Sequence, residues 1–276
     1  MPKTNPLERY FEAHQGRQIS KWMHYFEIYD RHFSKYRGRP VVVVEFGVHQ
    51  GGSLQMWREY FGPDAKIYGI DIDPRCKQWE EPGVTVLIGD QSDRAFLRQV
   101  VSETGPIDVV IEDGGHFPDQ QITTFEEVYR HIRRDGVFLI EDLHTSYWPS
   151  FRGGLGVSGT FMEYAKSLTD QLNAYHSRQP GFAPNRFTRT TRSMHYYDSI
   201  IVFEKGKVVE PHHERRGVQS WDPAAHRPLP VSVTSSLRTS QMRVRRRLRQ
   251  SAGTVVRRLP EPAASALRRL RERLVG

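Results

Sequence analysis

The chain has 276 residues, with 40 Lys and Arg against 32 Asp and Glu, a formal net charge of +8. That length suits one large α/β domain with a tail, or two small domains. The longest strongly apolar run, at 41–48, is far short of the roughly 20 apolar residues that a membrane span needs, and residues 1–16 contain no signal-like apolar core. A single cysteine, Cys76, excludes an internal disulfide, so a reducing, cytoplasmic setting is expected. The charge is unevenly placed. Twelve Arg against two Glu lie between Leu237 and Gly276, so the rest of the chain carries a net charge of −2. The basic balance of the whole is therefore no sign that the body binds nucleic acid.

Residues 18–36 are predicted to be a helix, because Trp22, Phe26, Tyr29 and Phe33 recur at spacings of four, three and four. Core packing is the better reading of Trp22, Tyr25 and Tyr29 there, ahead of contact with a substrate. Gly38 and Pro40 stop the helix. Strands are predicted at 41–48, 66–73, 84–90, 107–113 and 136–142, and helices at 53–61, 92–103 and 119–133. Strands alternating with helices imply right-handed β-α-β units and a parallel sheet, and continuous apolar strands imply a sheet covered on both faces. Beyond 148 come a glycine-rich loop at 151–160, a helix at 161–177 and a strand at 195–207 with a turn at Lys205-Gly206. From about 208 onward Pro, His, Ser and Arg dominate and weak order is expected.

In open parallel sheets ligands bind at the carboxyl ends of the strands, and the informative polar residues fall there. After the first strand come Glu45, Gly47, His49, Gly51 and Ser53, in an E-x-G-x-x-x-G pattern that is not the dinucleotide fingerprint. This disfavours a nicotinamide-dependent oxidoreductase. Asp71 ends the second strand, where a carboxylate can accept two ribose hydroxyls. A turn or a helix cap is the plain alternative, and Asp73 is assigned to that. Asp90 and Gln91 end the third strand, as readers of an adenine edge or as a cap. Asp113, Glu141 and Asp142 end the fourth and fifth strands. Three neighbouring carboxylates repel in a low-dielectric site, and a divalent cation with oxygen ligands, Mg²⁺ or Mn²⁺, relieves this; helix caps and loop salt bridges are the plain alternative. His116 follows Asp113 by three residues and is the candidate general base, with His144 its main competitor and His49 a weaker third. Tyr147, Trp148 and the glycine-rich loop either cover an acceptor or pack on the sheet edge.

At EFGVHQGGSLQMW, YGIDIDP, EDGGH, the later IED and HYYDSIIVFEKGK, the sequence resembles the class I S-adenosylmethionine-dependent methyltransferases. Within them it is similar to the metal-dependent sugar O-methyltransferases of macrolide biosynthesis, the mycinamicin rhamnosyl type, over about residues 18–207. The resemblance implies a Rossmann-like α/β fold: a mostly parallel sheet with helices on both faces and an antiparallel edge strand. It divides the chain into an N-terminal helical segment (1–40), a SAM-binding domain (41–207) and an Arg-rich tail (208–276). It implies S-adenosylmethionine and Mg²⁺ as cofactors, and Asp113, Glu141 and Asp142 as metal ligands. It further implies His116 as catalytic base, with Glu45, Gly47, Gly51 and Asp71 at the cofactor. A glycosylated small molecule or a glycolipid is the implied acceptor, and a homo-oligomer is expected. The chain is shorter than those enzymes, a long N-terminal extension of theirs is unmatched, and the tail has no counterpart.

In the tail, Leu267, Leu270 and Leu274 share one face among arginines, a pattern suited to an anionic membrane surface at 237–276. Peripheral contact with the inner membrane is one reading of it. RNA binding is weaker, since aromatic residues for stacking are lacking there. A catechol-type O-methyltransferase uses the same metal logic on an aromatic diol and stays open as an alternative.

Overall fold

A computed structural model of the chain describes residues 5–221. Helix α1 (Pro6–Ala13) opens behind an Asn5 cap, whose side chain accepts from the Leu7 and Glu8 backbone N–H groups. Helix α2 (Tyr25–Phe33) follows, continued by a 3-10 turn to Tyr36. Then come β1 (Val42–Phe46), α3 (Gly52–Phe61), β2 (Lys66–Asp71), β3 (Val84–Ile88), α4 (Arg94–Thr104) and β4 (Ile107–Glu112). The chain continues through α5 (Pro118–Val128), β5 (Ile132–Ile140), α6 (Phe161–Leu172), α7 (Arg186–Thr190), β6 (Thr191–Tyr196) and β7 (Ile201–Lys205). Residues 213–221 belong to a separate unit and contain no helix or strand.

The sheet order is β3-β2-β1-β4-β5-β7-β6. Strands β1 to β5 are mutually parallel, while β7 runs antiparallel to β5, and β6 to β7. This is the expected Rossmann-like methyltransferase fold. Alternation along the buried strands feeds two cores, because successive side chains point to opposite faces. Val43, Val109, Val137 and Val202 pack with α1, α2 and α3. Val44, Val110, Phe138 and Phe203 pack with α4, α5 and α6.

Three expectations need correction. Helix α2 starts at Tyr25 rather than at residue 18, and Trp22 is 55% exposed rather than in the core. The preceding segment leaves helical geometry to carry Lys21 into the sheet edge, as described below. Helix α1 was not anticipated. The stretch 195–207 is not one strand: β6 and β7 form a hairpin closed by Tyr197 N–H donating to the Ile200 carbonyl at 2.8 Å, with Ser199 at φ +61°. The turn lies at Asp198-Ser199, residues that favour turns through local side-chain hydrogen bonds, and not at Lys205-Gly206. The membrane reading of 237–276 lies outside the described residues, among which no helix is long and apolar enough to cross a membrane.

Phe125 joins α5 to β5, β7 and α6 through ring contacts with Phe138, Phe161 and Phe203. Phe125→Ala is expected to cost about 3–5 kcal/mol of stability, read from the midpoint of urea unfolding.

Candidate active site

A cleft of about 430 Å³ opens at the carboxyl ends of β1 to β4. Its floor depends on close backbone approach. Gly47 sits at φ +90°, and a Cβ there would lie 1.9 Å from the Asp113 carbonyl oxygen, so only glycine lets the β1 and β4 loops meet. Gly51 does not line the cleft. It caps α3 at φ +74° with Trp79 against it.

Glu45 also lies behind the cleft rather than in its wall. It is wholly buried, accepting from Ser53 Oγ and from Trp57 Nε1, each at 2.7 Å, and so ties β1 to α3. Burial pushes its carboxyl up to about 7, against the lowering by Lys21 and those two hydrogen bonds. Ser53 and His49 do line the cleft.

Asp71 Oδ2 accepts from the backbone N–H groups of Val48 (2.9 Å) and His49 (3.0 Å), and Oδ1 from that of Asp73 (2.9 Å). Burial raises its pKa, but the three donors outweigh this and hold it below the ordinary range. Asp71 is thus a fixed, charged carboxylate at the cleft. Asp73 is the turn cap, accepting from the Arg75 backbone N–H. Asp90 lines the cleft and accepts from the Ser92 N–H at 2.7 Å, while Gln91 reaches across to Glu112 Oε1 (2.6 Å) and to the Gly115 N–H (3.2 Å). Both expected cofactor residues therefore also brace loops.

The cleft ends at the acidic cluster. Strands β4 and β5 pair Glu112 with Ile140, which brings the two acidic pairs side by side. One residue missed in the sequence occupies the gap. Lys21 Nζ lies 2.5 Å from Asp113 Oδ2 and 2.6 Å from Glu141 Oε1, with its side chain 2% exposed. Glu141 Oε2 accepts from the Tyr29 hydroxyl at 2.5 Å, and Asp142 Oδ1 from the Tyr25 hydroxyl at 2.7 Å. The aromatic bodies of Tyr25 and Tyr29 are core, as expected, but their hydroxyls hold the acids. Burial and the nearby Asp113 push Glu141 up to about 8, and burial pushes Asp113 up to about 6; Lys21 opposes both shifts. Lys21 itself is held well above its ordinary value, since the two carboxylates outweigh the cost of burying its charge.

His116 and Asp142 both adopt left-handed backbone conformations, at φ +60° and +57°, which turn their side chains into the cleft. His116 Nε2 lies 3.6 Å from Asp142 Oδ2 and 3.9 Å from Asp113 Oδ1. Burial lowers its pKa despite Asp142 and Glu141, and Lys21 and His144 lower it further. His144 sits one step outward: Nδ1 is 3.2 Å from Ser199 Oγ, and its ring packs on Trp148 (4.6 Å) and Trp22 (5.7 Å). Trp22, Tyr147 and Trp148 are all more than 40% exposed, an aromatic rim beside the acids.

Two carboxylate oxygens and an imidazole nitrogen, from Asp113, Asp142 and His116, lie within 4.8 Å of one another and fit a divalent cation. Mg²⁺ prefers oxygen ligands and keeps several waters, so Asp113 and Asp142 suit it and His116 is left free. Glu141, the third expected ligand, accepts from Lys21 through Oε1 and from Tyr29 through Oε2.

A family model described as a methyltransferase domain matches residues 44–143. The chain is 35% identical over 227 residues to the mycinamicin VI 2''-O-methyltransferase of Micromonospora griseorubida, covering 78% of this chain and 54% of that protein. It is 37% identical over 219 residues to the demethylmacrocin O-methyltransferase of Streptomyces fradiae, covering 74% and 53%. Among solved structures it is similar to the MycE methyltransferase of the mycinamycin biosynthetic pathway, in complex with Mg, SAH and mycinamycin VI. There the TM-score is 0.65 at 32% identity, covering 79% of this chain and 56% of that one. The chain spans about half the length of the curated relatives it matches.

Two outcomes follow from the buried charges. Lys21→Ala leaves Asp113 and Glu141 without their cation, and is expected to cost about 3–5 kcal/mol in chemical denaturation. Glu45 has a folded-state pKa near 7, above its ordinary 4.5. Between those values the folded chain holds a proton that the unfolded chain lacks. Its stabilising share is complete below about pH 4.5 and is lost as pH rises through about 7. The fall in stability across that window should be shallower in Glu45→Gln, as measured by urea midpoints at a series of pH values.

Proposed function

We propose that this chain, whose residues 44–143 are a methyltransferase domain of the class I Rossmann-like fold, is an S-adenosylmethionine-dependent O-methyltransferase. Its proposed acceptor is a sugar hydroxyl of a glycosylated natural product, and its metal Mg²⁺. The observation that carries this reading is one continuous cleft, with a ribose-type carboxylate at one end and an acid–imidazole cluster at the other. The likeness to glycoside O-methyltransferases supports it.

In this reading Asp71 accepts the ribose hydroxyls, and the turn at Gly47 lets the backbone approach the amino-acid end of the cofactor. When bound, S-adenosylmethionine supplies an electrophilic methyl group and Mg²⁺ supplies charge that acidifies a hydroxyl. Asp113 and Asp142 hold the cation, and Glu141 stands behind them with Lys21. His116, beside both acids, would take the proton from the acceptor hydroxyl; the hydroxyl oxygen would then receive the methyl group as its bond to sulfur breaks and S-adenosylhomocysteine leaves. His144 is the outer of the two histidines and orients the acceptor rather than taking its proton. Sugars present C–H faces to indoles, and the rim of Trp22 and Trp148 suits such a face.

His116→Ala is expected to lower kcat by about 10²–10⁴-fold while leaving S-adenosylhomocysteine binding by calorimetry unchanged. Chelation with EDTA should abolish turnover and added Mg²⁺ should restore it. Full turnover of a rhamnosylated macrolide in EDTA, or a wild-type rate in the variant, would sink the assigned roles. Turnover of an aromatic diol alone would transfer the reading to the catechol class.

A further inference from the structure

The hairpin β6–β7 presents one face to α2, and that face carries a second group of metal-ligating side chains outside the cleft. Ser193 pairs with Glu204, and His195 with Val202. Directly opposed residues of an antiparallel pair share a face, and Val202 lies in the core that contains α2. His195 and Glu204 therefore point toward α2, where His32 is 3% exposed. His32 Nδ1 is 2.9 Å from Glu204 Oε1, and His195 Nε2 is 3.7 Å from Glu204 Oε2. One donor atom from each of the three lies within 4.8 Å of the others.

Two donors bound to zinc at about 2.0–2.1 Å in a tetrahedron lie about 3.3 Å apart, a separation that small side-chain movements reach from the grouping within 4.8 Å. The outer contact is also in place. His32 Nε2 is 2.9 Å from the Tyr197 hydroxyl; without an ion Nδ1–H donates to Glu204, and on metal binding the proton would pass to Nε2, where that oxygen accepts it. His195 keeps 36% of its side chain exposed, which leaves a route for an ion and an open fourth position.

We propose that His32, His195 and Glu204 form a binding site for a divalent transition-metal ion, zinc by preference, that staples α2 to the β6–β7 hairpin. Two imidazoles and one carboxylate select such an ion over Mg²⁺. The staple would act on the helix whose Tyr25 and Tyr29 hydroxyls hold Asp142 and Glu141, so the ion would steady the catalytic acids without touching them. It is independent of the activity assigned to the cleft.

The test uses the full chain without an affinity tag, stripped of metal and titrated with Co²⁺ as a spectroscopic probe. Wild type should develop visible ligand-field bands that Zn²⁺ displaces, and Zn²⁺ should raise its Tm by a few degrees. Asp142→Ala should retain both responses. His195→Ala, at a half-exposed position, and Glu204→Gln, which preserves shape, should melt like metal-free wild type and lose both. Absence of bands in wild type overturns the proposal and leaves a hydrogen-bonded cluster. Bands that persist in both hairpin variants, or vanish in Asp142→Ala, overturn it as well, since the ion then sits elsewhere.

Discussion

One ammonium group lies between two carboxylates that the sheet forces together. Each carboxylate oxygen is within 2.6 Å of Lys21 Nζ, so the two oxygens are no more than about 5 Å apart. At an effective dielectric constant near 20 their repulsion would be about 3 kcal/mol if both were ionised, before the cost of burying them is counted. The parallel register of β4 and β5 makes this conflict unavoidable, because both strands end at the same level. Lys21 resolves it, and much else follows. The chain before α2 is not helical where it delivers the side chain, α2 begins late, and its first turns then bring Tyr29 to Glu141 and Tyr25 to the neighbouring Asp142. The N-terminal segment is thus part of the site and no mere cover for the sheet.

The two acidic pairs, 112–113 and 141–142, each divide their labour. The inner member of each pair is buried in the protein body. Glu112 goes to Gln91 and Glu141 to Lys21 and Tyr29. The outer members, Asp113 and Asp142, face the cleft. Burial raises the pKa of both inner carboxyls, to about 7 for Glu112 and about 8 for Glu141, and Lys21 opposes the shift of Glu141.

Much of the frame was legible because the signals were local and repeated. Five apolar strands separated by amphipathic helices leave few topologies, and acids at strand ends mark the ligand edge. Asp71, Asp90, Gln91, Asp113, His116 and Asp142 all reached the cleft for that reason. Lys21 was not legible. It lies in a stretch whose aromatic spacing imitates a helix, and its position is decided by a charge some 90 to 120 residues away in sequence. Glu45 stands at a strand end like the others, but pairing with Ser53 and Trp57 turned it inward. The hairpin was obscured because β6 and β7 are separated only by a short turn, and continuous aromatic and β-branched residues hide such a break.

The strand order places the switch of direction between β1 and β4, and this seam partitions the site. Loops after β1, β2 and β3 furnish one wall of the cleft. The segment before α2 and the turns after β5 furnish Trp22, His144 and Trp148 on the far side. Asp113, His116 and Asp142 stand on the seam itself. In the reading proposed above, the acceptor side can therefore change through two surface segments while the acids stay in place. The other wall has less freedom: Gly47 and the Asp113 carbonyl are in such close contact that the loop after β1 cannot drift without moving Asp113.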